Sequence, residues 1–174
     1  MTRSTTRTLL AAATLFDGLL AGLNLDRSLV HNLAWRALGA SAWAAYSQHA
    51  DLAWRAAVLY PLLAFGGLTL GTAALVGFRQ HASEPRAARL PVYAGVVLAL
   101  GGLLMTFKAA PNMLRVPRVL DNPSALETAM DGFIFWGDVR GVIQVLAFVA
   151  TLSGMAALVM AGSQLESTQR GELT

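Results

Sequence analysis

The chain has 174 residues, 55% of them hydrophobic and 13% charged. With a mean hydropathy of +0.52, it is too apolar for an ordinary soluble domain and long enough for one compact membrane bundle. Its net charge of +3 is carried by scattered arginines, which excludes a basic patch for nucleic acid, and the lack of cysteine excludes disulfides, thiolate catalysis, iron–sulfur ligation and cysteine-anchored lipid.

Arg3 and Arg7 precede a Leu/Ala run in the manner of a secretory leader. The run continues past Asp17 without a small-x-small cleavage site, so it reads as a retained first span. Four stretches, residues 8–25, 56–78, 90–107 and 141–162, are long enough to cross about 30 Å of hydrocarbon at about 1.5 Å per residue. Small residues recur at helical spacing in Gly18/Gly22, Gly67/Gly71 and Gly137/Gly141, which favours close helix approach. The first long connection, from Asp26 to Arg55, carries Trp35, Trp43 and Tyr46 amid alanine. It predicts an interfacial helix, or an extension of the first span, with these rings at headgroup level. In the third connection, Pro111 predicts a break at the end of the third span, and residues 124–130 predict a short helix within a structured cap. Residues 163–174 read as a frayed polar tail. The expectation is an all-α, integral membrane four-helix bundle forming a single domain over residues 1–174, with an interfacial helix or structured loop after the first span.

An even number of spans places both termini and the connection over residues 79–89 on one side. That connection is plainly basic, which favours termini in the cytoplasm of a cell inner (plasma) membrane protein.

Polar residues inside the apolar runs are the candidates for chemistry. Thr14, Asp17, Ala21, Asn24, Ser28 and His31 share one stripe of a 3.6-residue helix. Asp17 lies about 14 Å into the bilayer, where an ionisable group costs several kcal/mol and faces the bundle interior, as a structural tie or as an acid–base group. On the last span Phe133, Gly137, Arg140, Gln144 and Thr151 form a second stripe, with Trp136 one turn before Arg140 and Asp138 pointing away to another neighbour. Lys108, Asn112 and Arg115 would share a face at the end of the third span if the helix continues through Pro111, and Tyr60 precedes Pro61 near the outer end of the second. At one level, Asn24, Tyr60, Lys108, Asn112, Trp136 and Arg140 would ring the outer end of a bundle, with Asp17 and Gln144 as its floor. Such a pocket suits a flat or chain-like lipophilic molecule with one oxygen function. His31, His49 and His81 are too scattered for a metal or haem signature, and no phosphate loop, dinucleotide fingerprint or nucleophile elbow occurs. No cofactor is expected. The expected partners are a lipophilic small molecule and membrane lipid, with a homo-oligomer left open.

The chain resembles the anthrone oxygenase-like family of small four-span membrane proteins. The likeness rests on the Gly18–Gly22 segment of the first span, Pro111-Asn112 after the third, and Trp136 with Arg140 opening the fourth. It departs from the family's Asn-Val-Pro-x-Asn pattern, having Ala109-Ala110-Pro111-Asn112-Met113 in that place. The resemblance implies oxygenation of an activated aromatic carbon without flavin or metal, through an enolate that meets dioxygen directly. In this chain Asp17 or His31 would then be the base, and Lys108, Asn112 and Arg140 would stabilise the anion, with Arg115 beside them. The same residues would also serve an isomerase, a cyclase or an epoxide-opening enzyme. Outside the enzymes the main alternative is a non-catalytic structural or accessory membrane protein, with a small-solute or proton carrier third.

Overall fold

The structure, a computed structural model, describes residues 2–80 and 86–171 and is all-helical, with no strand among the described residues. Helix α1 (Arg3–Asp26) runs through a π-helical turn, Arg27–His31, into α2 (Asn32–Leu38). Gly39, the only described residue at positive φ (89°), turns the chain into α3 (Ala40–His49), a bend that a side-chain-bearing residue would strain. There follow α4 (Trp54–Gln80), α5 (Arg86–Leu114), the single turn α6 (Val116–Val119) and α7 (Pro123–Gly171). Four helical stretches, Arg3–Leu38, Trp54–Gln80, Ala87–Val119 and Pro123–Ala161, are long and apolar enough to cross a membrane.

The long helices form a ring in which α1 touches α4 and α7, and α5 touches the same two. Every neighbouring pair is antiparallel. Asp17 meets Gly67 and Ala13 approaches Gly71 across α1–α4, while Val92 meets Gly154 and Gly95 meets Thr151 across α5–α7. The exterior is apolar along the spans, with Leu15, Leu19, Phe65, Val97, Leu104, Val142 and Val149 each about half exposed or more, a surface that fits a hydrocarbon solvent.

Three layers divide the interior. At the end holding the termini, Leu10, Ala74, Phe78, Ala88, Val92 and Leu158 make one apolar core. At the opposite end, Trp35, Trp43, Val116, Leu126, Met130, Phe133 and Ile134 make another, where α3 and α6 fold over α7. The middle layer is polar, with Thr14, Asp17, Asn24, Gln144 and Thr151 all buried. Hydrocarbon gives helices no hydrophobic reason to associate, so packing and interhelical hydrogen bonds must supply it.

Several expectations from the sequence are corrected. α5 does not break at Pro111 but continues to Leu114, helped by the Arg115 N–H donating to the Pro111 carbonyl (3.1 Å). The carbonyl that Pro111 leaves without a donor belongs to Phe107, on the exposed side of the helix. The stretch expected as a cap from residue 123 onward is the start of α7, and the tail is helical through Gly171 instead of frayed. Residues 172–174 of that tail, and 81–85 of the second connection with His81, lie outside the described residues. The Asp26–Arg55 connection combines both forms expected of it, an extension of the first span and then a separate helix.

The α5–α7 seam is the tightest test of the packing. A Cβ on Gly95 would lie 2.5 Å from Thr151 Cγ2 and 3.4 Å from the Ala147 carbonyl, whereas one on Gly22 would meet nothing within 4 Å. Gly95→Leu is expected to destabilise the bundle by about 1–3 kcal/mol through overpacking, and Gly22→Ala to leave it unchanged or slightly firmer. Melting of the two purified variants, followed by circular dichroism, checks the contrast.

Candidate functional site

The π-helical turn decides which side chains of the first helix reach the interior. A regular helix would bring His31 back onto the stripe of Asn24 and Ser28. The Asn32 N–H instead bonds the Arg27 carbonyl, five residues back, so one extra residue enters the turn. The stripe then continues at Asn32, which is buried and donates Nδ2 to Asp138 Oδ1 (2.7 Å), beside Ser28 Oγ to the same oxygen (2.6 Å). His31 is turned outward to Asp26, 3.2 Å from Oδ2, and packs near the rings of Trp35 and Tyr46. Arg27 is carried inward.

Arg27 sits at the centre of a cluster that closes the end of the bundle opposite the termini. Its Nη2 donates to Asp51 Oδ1 (2.6 Å) and to the Tyr60 hydroxyl (3.1 Å), and its guanidinium lies over the Tyr60 and Phe133 rings at 5.3 and 5.4 Å. Asp51 is buried in the turn before α4, with a 3.5 Å contact from Ser47 Oγ to its second oxygen. Burial, with a smaller push from the Asp51 carboxylate, raises the Tyr46 phenol above its ordinary pKa, so Tyr46 is neutral beside this cluster.

One layer further in, Asn24 joins α1 to α7. Its Nδ2 donates to Gln144 Oε1 (2.6 Å) and its Oδ1 accepts from Arg140 Nη2 (3.1 Å). Arg140 Nε is solvent-excluded and has no hydrogen-bond partner. Asp17 lies deeper still, seven residues from Asn24, or about 10 Å along the axis. Its Oδ2 accepts from Thr151 Oγ1 (3.4 Å), and its Oδ1 lies so close to α4 that a Cβ on Gly67 would stand 2.7 Å from it.

These groups border a chamber between α4 and α5. The two helices meet where Gly71 packs on Val96, near the end holding the termini. Toward the other end a cavity of about 390 Å³ lies between them, lined by Arg27, Asp51, Tyr60, Pro61, Thr106, Met113, Phe133 and Arg140, with Ala56, Ala57, Ala110 and Leu114. A second chamber of about 100 Å³ shares Tyr60, Pro61, Thr106 and Arg140 and adds Leu20, Ala64, Phe65, Leu103 and Gln144. Below it a recess of about 10 Å³ reaches Asp17, with Gln144 and Leu20 on its wall. That recess has room for about one water. Phe65 and Leu114 line the chambers and also stand on the outer surface, 53% and 57% exposed, so the space opens sideways between α4 and α5. Pro61 withholds the amide that would meet the Ala57 carbonyl, and both residues border the larger chamber.

Of the residues singled out in the sequence, Tyr60 and Arg140 line both main chambers, Gln144 lines the inner one, Asn24 positions Arg140 and Gln144 from behind, and Asp17 is reached only through the recess. The others do not complete the expected ring. Lys108 is exposed; Asn112 donates to its own helix at the Lys108 carbonyl and packs on Gly132; Arg115 is exposed beside the Pro111 carbonyl. Trp136 is half-buried against Phe135, and His31 faces Asp26. Arg27, Asp51, Thr106 and Phe133 border the main chamber without having been proposed for the site. Arg27 and Asp51 carried a signal, being opposite charges at the two ends of an aromatic-rich connection. Asp138 with Ser28 and Asn24 borders a separate groove of about 370 Å³ between α1 and α7. Among the described residues no group of three or more His, Asp or Glu side chains could hold a metal ion.

No family model, curated protein or solved structure matches this chain.

The Arg27–Asp51 pair is buried on both sides, so removing one partner strands the other charge. Asp51→Ala is expected to cost about 3 kcal/mol or more, and Arg27→Leu with Asp51→Leu together to recover most of it. A double-mutant cycle on thermal unfolding in detergent measures both.

Proposed function

We propose that this protein is a small membrane enzyme that takes a lipophilic molecule, aromatic or polyketide-like, from the bilayer into the α4–α5 chamber and acts on it by acid–base chemistry. The observation that carries this reading is Arg140. It is an interior cation whose hydrogen bond goes to an amide, on the wall of an otherwise largely apolar cavity. Such a donor in a low-dielectric space stabilises an oxyanion far better than it would in water.

On this reading Arg140 holds the oxygen of the substrate, and Asp51, with one oxygen on Arg27 and the other only at 3.5 Å from Ser47, takes the proton from the activated carbon. Tyr60, a phenol shared by both chambers, supplies the proton needed to return the product to neutrality. These roles replace those expected for His31 and Lys108, which face elsewhere. Asp17, behind Gln144 and packed against Gly67, serves as a tie between α1, α4 and α7.

The resemblance to the anthrone oxygenase-like proteins favours reaction of the resulting enolate with dioxygen, needing no cofactor. Return of the proton to a different carbon, with no dioxygen consumed, would make the same site an isomerase or cyclase. The proposed setting is the cell inner or plasma membrane with the termini in the cytoplasm and the chamber in the opposite leaflet, supported by the basic residues of the connection over residues 79–89.

The test is dioxygen uptake and product formation by the purified full chain with anthrone as probe, alongside mass spectrometry of molecules that co-purify. Asp51→Asn is expected to lower turnover by about 10²-fold or more, and Asp17→Asn to leave it within a few fold. Undiminished turnover in folded Asp51→Asn would remove the carboxylate from this role. Product formed without dioxygen uptake would select the isomerase form.

A further inference from the structure

We infer that the chamber selects a singly charged anionic amphiphile, its oxyanion head on Arg140 and its apolar body lying along the α4–α5 opening into the bilayer. The inference rests on the reading of this chamber as the substrate site: the enolate formed there is such an anion, and a stably anionic amphiphile is held in its place.

The argument is one of charge balance. The main chamber is bordered by three ionised groups, Arg27, Asp51 and Arg140. Arg27 and Asp51 are a contact pair at 2.6 Å and cancel. Arg140 forms no ion pair; its hydrogen bond goes to Asn24 Oδ1, a neutral acceptor. Of the other carboxylates nearby, Asp138 lines the separate α1–α7 groove and accepts from Ser28 and Asn32, and Asp17 is about 10 Å further along α1 than Asn24 and is engaged by Thr151. The chamber therefore carries one cation in excess, held close to a second cation in a poorly screened space. A buried charge of this kind is stabilised only by a counter-charge with hydrogen bonds, and a single oxyanion against the guanidinium that lines both chambers meets that need. A dianion would overcompensate, a cation would be repelled, and a neutral oxygen would satisfy the donor without the charge.

The walls specify the rest of the molecule. Beyond Arg140 the inner chamber carries Tyr60, Thr106 and Gln144 among the apolar Leu20, Pro61, Ala64, Phe65 and Leu103, and Phe65 stands on the exterior. An apolar body continuing from the head lies along Pro61, Ala64 and Phe65 toward the outer surface.

Three probes that differ only in the head separate the possibilities: oleate, oleyl alcohol and oleylamine, loaded at equal mole fraction into nanodiscs of zwitterionic lipid holding the full chain. Capture is read by native mass spectrometry of the released protein. The expected order is oleate, then the alcohol at roughly tenfold lower occupancy, the difference one charge-assisted hydrogen bond makes, then the amine. Arg140→Gln should bring oleate to within about twofold of the alcohol, and Leu103→Trp, which fills the inner chamber, should reduce capture of both. Equal capture of all three heads by the wild-type chain overturns the inference, as does an oleate preference that survives in Arg140→Gln. Should Arg140→Gln fail to fold, the wild-type order together with Leu103→Trp decides the matter, and undiminished capture in Leu103→Trp overturns it. Binding is read without turnover. Loss of the head preference in an active enzyme therefore defeats this inference alone, whereas a preference that stands in a protein inert toward every substrate defeats the enzymatic reading and leaves the charge class in place.

Discussion

The hydrogen bonds that Asn24 makes to Arg140 and Gln144 are the constraint on which the arrangement of the molecule depends. A guanidinium in the interior must be solvated by something, and here that is an amide from the first helix. An amide can donate and accept at once, so Asn24 fixes two side chains of α7 separated by one turn and, through them, the register of α1 against α7. A carboxylate in its place would neutralise Arg140 and remove the excess charge. An apolar residue would leave the guanidinium without its hydrogen bond. The polar layer thus ties α1 to α7 and holds Arg140 on the wall of both chambers.

The two apolar cores at either end make that layer possible. Trp35, Trp43, Phe133 and their neighbours hold α3 over the outer end and keep the Arg27–Asp51 pair out of bulk water. Leu10, Phe78, Val92 and Leu158 hold the other end shut. Close approach at Gly67, Gly71 and Gly95 holds the inner halves of the helices together, so the separation of α4 from α5 is confined to the half that carries the arginines.

Much of this was legible in the sequence and some of it was not, for reasons that can be named. Hydropathy and length located the four long helices, because the cost of burying a bare peptide group in hydrocarbon leaves little alternative to a helix. The stripes through Asp17 and Asn24 and through Arg140 and Gln144 followed from the 3.6-residue period, and those two helices do pack against each other. His31 was misplaced because a single π-helical turn shifts the register by one residue, and no local residue type announces such a turn. Because α5 runs on through Pro111 to Leu114, Lys108, Asn112 and Arg115 keep their helical spacing, but none of them lines the chambers. Asp51 falls in the first long connection and on no helical stripe; its burial arises from the way α3 folds back after Gly39, a tertiary event invisible to periodicity.

On the proposed reading, with the four long helices in a bilayer, the sideways opening between α4 and α5 also sets the reservoir from which the chamber would be filled. It lies in one half of the bundle only, so a molecule dissolved in the facing monolayer can slide in, while one in the other monolayer must first cross. Occupancy then follows the mole fraction of guest in that single sheet of lipid, which a modest amount of a strongly partitioning compound raises far above its level in water. Chain length and the tilt at which a guest rests among the acyl tails become part of recognition before any side chain is touched.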